Sequence, residues 1–405
     1  MKNTISLFLA LLLFASCNKQ NTIDNPPNSD PLLKSAIVEK NNSFSIDIFK
    51  ELINNEDTEK NIFISPLSMY YALSMAGTGA ANETRAEFVK LLGWENKTEN
   101  EILKSMKGLY NDLMPHQSGI SFEIANSLWQ KQGAAIKESY KNLAREYFDA
   151  EVRELDFASP EAVDVINSWI EVKTNNKIKD MLDIIPPDAF MYLINAVYFK
   201  ANWKYQFEED NNIEDIFTQT NGTAGDVTYM RQNTNLQYLS NSLFTSVKLP
   251  YTDSNYYMAV FVPNQNIGVN ELTAAITANK WKEWNNEYTI REVTVTLPKF
   301  KYSFGTRNIN KELKSLGLVK AYSNEADFSN ITDIQIYINR VLHKAFIEVN
   351  ESGSEAAAAT IVEVNYISAD EPLYYINANK PFVFAICHEP TNSILFIGRV
   401  AYPEQ

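Results

Sequence analysis

The chain has 405 residues, of which 45% are apolar and 12% aromatic, ample for a sizeable core, so disorder is excluded for its bulk. Its formal charge of −14 argues against nucleic acid and anionic membrane surfaces, and no dense Lys/Arg cluster suits heparin or another polyanion. A length of 405 residues permits two or three domains, or one large domain of mixed structure.

Residues 1–17 read as a targeting segment. Lys2 gives a short basic start, Ile5 to Phe14 is a mainly apolar run too short to span a bilayer, and Ala15-Ser16-Cys17 closes it. Two readings follow. The small pair before Cys17 resembles a bacterial lipobox, with Phe14 where that motif usually has Leu, and it implies lipidation of Cys17. The alternative is ordinary signal cleavage near Ser16. The chain is therefore expected to be exported, either as a lipoprotein at a bacterial envelope or cell surface or as a secreted protein, with membrane contact only through an N-terminal lipid. Residues 18–31 are polar, contain Pro26, Pro27 and Pro31, and read as a flexible tether of up to about 45 Å when extended.

No repeat or second linker interrupts 32–405, which is taken as a single domain. Ile37, Phe44, Ile48 and Leu52 fall near helical spacing. Ser65-Pro66 opens another apolar helix, with serine as cap and proline in the first turn. Residues 138–148 and 160–175 predict further helices. Strand signals gather later, at 192–201, 243–250, 256–263, 293–300, 343–350, 381–387 and 394–400. Helices first and strands afterwards indicate an α+β fold. Cys387, the one cysteine after Cys17, lies in the apolar run Pro381–Cys387 and reads as a buried small side chain.

Residues 351–364 are the unusual segment. At a period of two, one face carries Ser354, Ala356, Ala358, Thr360, Val362 and Val364, all uncharged. The other carries Glu355, Ala357, Ala359, Ile361 and Glu363. Yet Ser-Glu-Ala-Ala-Ala-Ala favours helix, so binary pattern and propensity disagree, as they do where function sits. Enzyme chemistry finds no constellation. His116, His343 and His388 are the only histidines, and none stands in a metal-binding or dyad spacing. No Gly-x-Ser-x-Gly elbow or phosphate-binding glycine loop occurs, so no metal or cofactor is expected.

Eight motifs occur in one order: Asn61-Ile-Phe-Ile-Ser-Pro-Leu-Ser68, Gly79-Ala-Ala-Asn-Glu-Thr-Arg85, Asn195-Ala-Val-Tyr-Phe-Lys-Ala-Asn-Trp203, Leu249-Pro-Tyr251, Leu297-Pro-Lys-Phe300, Asp327-Phe-Ser329, Lys380-Pro-Phe-Val-Phe384 and Leu395-Phe-Ile-Gly-Arg-Val400. Together with the alanine-rich segment they resemble the serpins, over almost all of 35–405. The resemblance implies helices packed on three β-sheets with a mobile reactive loop, a monomer, and a protease inhibitor rather than an enzyme. It assigns a hinge to Glu351, Gly353, Ser354, Glu355, Ala356, Ala357, Ala358, Ala359 and Thr360. It assigns a polar "shutter" to Ser65, Ser68, Asn195 and His343, and a "breach" at the head of the sheet to Trp203, Lys299 and Glu351.

Counted from the hinge glutamate as in the family's inhibitory loops, the resemblance implies a cut bond at Ile367–Ser368, with a register shifted by a few residues allowing one after Tyr366. The expected partners are elastase-, subtilisin- or chymotrypsin-like serine proteases, or papain-like cysteine proteases. Trypsin-like ones are excluded because no Lys or Arg occurs between Glu351 and Asn379. The competing reading is a non-inhibitory binding or adhesion protein on the same fold; the intact alanine run speaks for inhibition.

Overall fold

The computed structural model describes residues 31–114, 119–354 and 374–405. The chain opens with helix α1 (Pro31–Asn55), which buries Ile37, Phe44, Ile48 and Leu52, the four residues whose spacing predicts it. A short strand β1 (Ile62–Ile64) leads into α2 (Pro66–Gly79). Ser65 caps α2 by accepting from the Ser68 amide at 3.3 Å, and Pro66 occupies the first turn, where a missing N–H costs nothing. All residues of α2 but Ala72 are buried, because it packs against both sheets of the molecule.

Helices α3 (Asn82–Leu92) and α4 (Glu99–Leu113) follow, and Thr98 and Glu101 form a capping box on α4. Then come β2 (Ile120–Lys131), α5 (Glu138–Phe148), β3 (Glu151–Leu155), α6 (Ala162–Lys173) and β4 (Met191–Asn202). The second half holds β5 (Ile213–Thr218), β6 (Ala224–Ser240), β7 (Phe244–Pro250), β8 (Tyr256–Pro263), α7 (Val269–Ala275), α8 (Ala278–Glu287) and β9 (Thr289–Pro298). It continues through β10 (Phe300–Asn308), α9 (Asn310–Ser315), β11 (Leu342–Asn350), β12 (Gly353–Ser354), β13 (Tyr375–Asn377), β14 (Phe382–His388) and β15 (Ser393–Val400).

One sheet has the order β10-β11-β12-β4-β2-β3. The other runs β1-β15-β14-β8-β7-β6-β9-β13, with β5 also paired to β6. The expected α+β architecture is present. The three sheets implied by the resemblance are hydrogen-bonded into two among the described residues, because β6 is shared. It pairs with β9 from Tyr229 to Tyr238 and with β7 from Gln237 to Ser240.

The first half is chiefly helical, as expected, and the strand expected at 192–201 is β4; β2, for which no strand signal is read, lies beside it in the middle of the six-stranded sheet. One expectation needs correction. The single strand expected at 293–300 is two: β9 ends at Pro298, β10 begins at Phe300, and they belong to different sheets. Proline lacks the amide that a continuing ladder requires. Lys299 is thus the one residue between the sheets, its own amide donating to Thr228 O at 3.0 Å.

Candidate functional site

The site lies at the head of the six-stranded sheet. After β11 the chain turns at Glu351 and Ser352 and enters the sheet as β12, between β11 and β4. Gly353 pairs with Asn350 on one side and Asn202 on the other; Ser354 pairs with Val349 and Ala201. Gly353 is required by closeness: a Cβ there would collide with Ala201 O and lie 2.7 Å from Asn202 Cα. Ser354 then points into the interior, 3% exposed, and its Oγ lies 2.6 Å from the hydroxyl of Tyr251. The Tyr251 ring stacks on Trp203 at 4.7 Å with 8° between planes. Burial pushes the Tyr251 hydroxyl far above its ordinary pKa, so it stays protonated.

Around this point the structure brings together Trp203, Lys299 and Glu351. Lys299 Nζ is 2.9 Å from Glu351 Oε1, and Asn212 Nδ2 donates to the same oxygen at 2.6 Å. Trp203 Nε1 donates to Asn350 O at 2.9 Å, its amide donates to Ser352 O at 2.9 Å, and the Phe207 amide donates to Glu351 O at 3.0 Å. Asn350 Oδ1 accepts from the amides of Ser352 and Gly353 at 3.1 and 3.3 Å, which shapes the turn. Burial raises the Glu351 carboxyl, but the hydrogen bonds from Asn212 and Lys299 outweigh it and hold the pKa below the ordinary value.

Further down the sheet stand Ser65, Ser68, Asn195 and His343, also in one cluster. The Ser65 amide donates to His343 Nε2 at 3.2 Å, and Ser65 Oγ donates to Leu395 O at 2.9 Å. Ser68 Oγ donates to Asn195 Oδ1; Asn195 Nδ2 donates to Asn126 Oδ1 at 2.6 Å, and Asn126 Nδ2 to Phe148 O at 2.7 Å. Burial lowers the His343 pKa to about 3, so the ring is neutral and Nε2 is free to accept. Tyr251, which closes the Leu249-Pro-Tyr251 motif, and Asn212 and Asn126, which no local sequence signal marks, complete these networks.

Among the described residues β4 and β11 share no ladder with each other; β12 stands between them at the head only. Below, a cavity of about 390 Å³ lies between α2, the lower half of β4 and the chain leading to β11, with Leu73, Phe190, Ile194, Ile338, Val341 and His343 in its wall. Cys387 is fully buried and its thiol is pushed up to about 12, the state of an inert core cysteine. Glu355, Ala356, Ala357, Ala358, Ala359, Thr360, Tyr366, Ile367 and Ser368, and Cys17 at the other end, lie outside the described residues.

A family model described as Serpin (serine protease inhibitor) matches residues 39–403. The chain belongs to the serpin family. An uncharacterized serpin-like protein of Methanosarcina acetivorans is 33% identical, with 100% of this chain and 99% of that protein covered. Among solved structures, the thermophilic serpin tengpin in its native state superposes with a TM-score of 0.82 at 34% identity, covering 93% of this chain and 96% of tengpin. Human thyroxine-binding globulin complexed with thyroxine superposes with a TM-score of 0.83 at 26% identity, covering 92% and 100%. Membership supports a general protease-inhibitor role for this serpin, with proteases as the implied partners.

Proposed function

We propose that this serpin is inhibitory and traps its target as a covalent acyl-enzyme. The observation that carries this is β12: the first two residues of the hinge strand already hold places in the ladder between β11 and β4. Continued one for one, that register sets Thr360 opposite Asn195 and His343 and Val364 opposite Met191, the first residue of the antiparallel β4. The side chains sharing the inward face of Ser354 would then be Ala356, Ala358, Thr360, Val362 and Val364, none charged. A strand with that face fits an apolar interior.

The target supplies the nucleophile. Its serine or cysteine attacks the carbonyl of the residue before the cut bond, the peptide nitrogen leaves with a proton as the new N-terminus of the C-terminal segment, and the inhibitor is left as an ester or thioester. This chain supplies the rest. Insertion of the freed strand below β12 draws the attached protease along the sheet and distorts it before water completes hydrolysis. The shutter side chains exchange hydrogen bonds as β4 and β11 part, which an apolar patch could not do. The bond is read as Ile367–Ser368, or one after Tyr366, in favour of elastase-, subtilisin-, chymotrypsin- or papain-like targets.

The leader and Cys17 extend the proposal to an exported, lipid-anchored inhibitor guarding a cell surface. A second reading, a non-inhibitory carrier, draws on the likeness to thyroxine-binding globulin. Incubation with neutrophil elastase, chymotrypsin, subtilisin and papain, followed by denaturing gels and mass spectrometry of the released peptide, separates the two. A denaturant-stable complex supports trapping and fixes the bond; clean cleavage without a complex supports the carrier.

A further inference from the structure

The contact between Tyr251 and Ser354 joins the chain between β7 and β8 to the start of the reactive loop. Neither side chain reaches solvent to any extent: Tyr251 is 0% and Ser354 3% exposed. Tyr251 is itself fixed from several directions. Its amide donates to Tyr256 O at 2.9 Å, it forms an isolated β-bridge with Trp203, and its ring is held between Trp203 at 4.7 Å and Phe199 at 5.1 Å. Among the described residues the only hydrogen-bond partner of the Tyr251 hydroxyl is Ser354 Oγ, at 2.6 Å. A buried hydroxyl without a partner is costly, so Tyr251 favours the state in which Ser354 is seated.

We infer that Tyr251 is a positioning residue for loop insertion: its hydroxyl holds Ser354 in the sheet before any bond is cut, so that insertion extends a strand already started. Starting a strand means ordering backbone before ladder bonds reward it, whereas extending one adds a pair for each residue fixed. A hinge seated by Tyr251 has passed the first stage and carries the inward parity of Ser354 into the residues that follow. The consequence for trapping rests on the inhibitory reading above; the seating of the hinge does not.

The test uses the intact full-length protein in four forms: parent, Tyr251→Phe, Ser354→Ala and the double variant. Tyr251→Phe keeps the ring stack and removes only the hydroxyl. Hydrogen–deuterium exchange read by mass spectrometry follows the peptide containing Gly353 and Ser354. The expected result is about 3- to 10-fold faster exchange there in Tyr251→Phe, the worth of one net hydrogen bond, with exchange in β14 and β15 unchanged. The double variant should exchange no faster than the faster single one. Unchanged hinge exchange in Tyr251→Phe, or two effects that simply multiply, would overturn the assignment.

A second arm measures how each form partitions between trapped complex and cleaved product with a protease that cuts the loop. Tyr251→Phe should shift the partition toward cleaved product; an unshifted partition overturns the role in insertion. A parent that is cleaved without complex ends the inhibitory reading and leaves the exchange result standing.

Discussion

Lys299 and Glu351 meet at 2.9 Å at the one residue that separates the two sheets. Lys299 lies between β9 and β10, and Glu351 is the turn from which the hinge enters, so the ion pair ties the root of the loop to the joint of the fold. Lys299→Met should leave the buried Glu351 carboxylate with Asn212 as its remaining side-chain donor, lowering stability by about 1–3 kcal/mol. Lys299→Met/Glu351→Gln should recover part of that loss in urea denaturation; no recovery would mean that the pair is not coupled.

His343 predicts a pH dependence. Its folded pKa, about 3, lies below the unfolded value of about 6.5, so between the two the unfolded chain binds the extra proton. This contribution is fully present above pH 6.5 and is lost progressively as pH falls toward 3, the loss reaching about 2 kcal/mol at pH 5. His388, lowered by burial to about 4, acts in the same direction. Thermal unfolding between pH 7 and 5 should therefore flatten, though not vanish, in His343→Gln.

Gly353→Ala should prevent β12 from forming, because the added methyl meets backbone atoms of Ala201 and Asn202, which cannot rotate away. The loop should remain cleavable while the yield of trapped complex falls by at least about tenfold, the equivalent of about 1.4 kcal/mol. Gel densitometry of complex against cleaved product measures it. An unchanged yield would mean that this pairing is not used.

Parity gives a paired test. Ser354 faces inward, so in a strand keeping its register Ala358→Arg would bury a charge, and Ala359→Arg would place it on the opposite face. Ala358→Arg should turn the inhibitor into a substrate; Ala359→Arg should reduce trapping by less than about threefold, consistent with surface changes within about 0.5 kcal/mol. Equal effects of the two would argue against strand insertion.

With no Lys or Arg between Glu351 and Asn379, trypsin should form no stable complex through this loop. A near-stoichiometric complex on a denaturing gel would contradict that.

Sequence and structure agree most closely where local chemistry is strong. Ser65-Pro66 marks the start of α2, and the apolar runs of β7, β8, β14 and β15 announce themselves because they are buried along nearly their whole length. β2 carries a weaker signal. Its first half alternates Ile120, Phe122 and Ile124 with exposed partners, but its second half buries Asn126, Ser127 and Gln130, whose polarity hides a central strand. β6 carries Asn233, Thr234, Asn235 and Gln237 on or near its wet side, which masks a strand common to both parts of its sheet. At the site, Trp203, Lys299 and Glu351 could be found through motifs. Asn212 acquires meaning only from Glu351, and the motif that ends in Tyr251 does not reveal its contact with Ser354; both partners lie more than a hundred positions away along the chain.

The length of β4 has a consequence of its own. A strand begun opposite Asn202 and continued in that register would find its last place opposite Met191, at Val364. If the freed loop inserts as proposed, the sheet is a ruler laid against it. A protease cutting beyond Val364, as at the proposed Ile367–Ser368 bond, would release a strand able to fill every place. One cutting among the alanines would release a strand that stops short, with the sheet only partly closed and the enzyme carried only part of the way. Two proteases that bind the loop equally well would meet different fates, decided by where along the chain they cut.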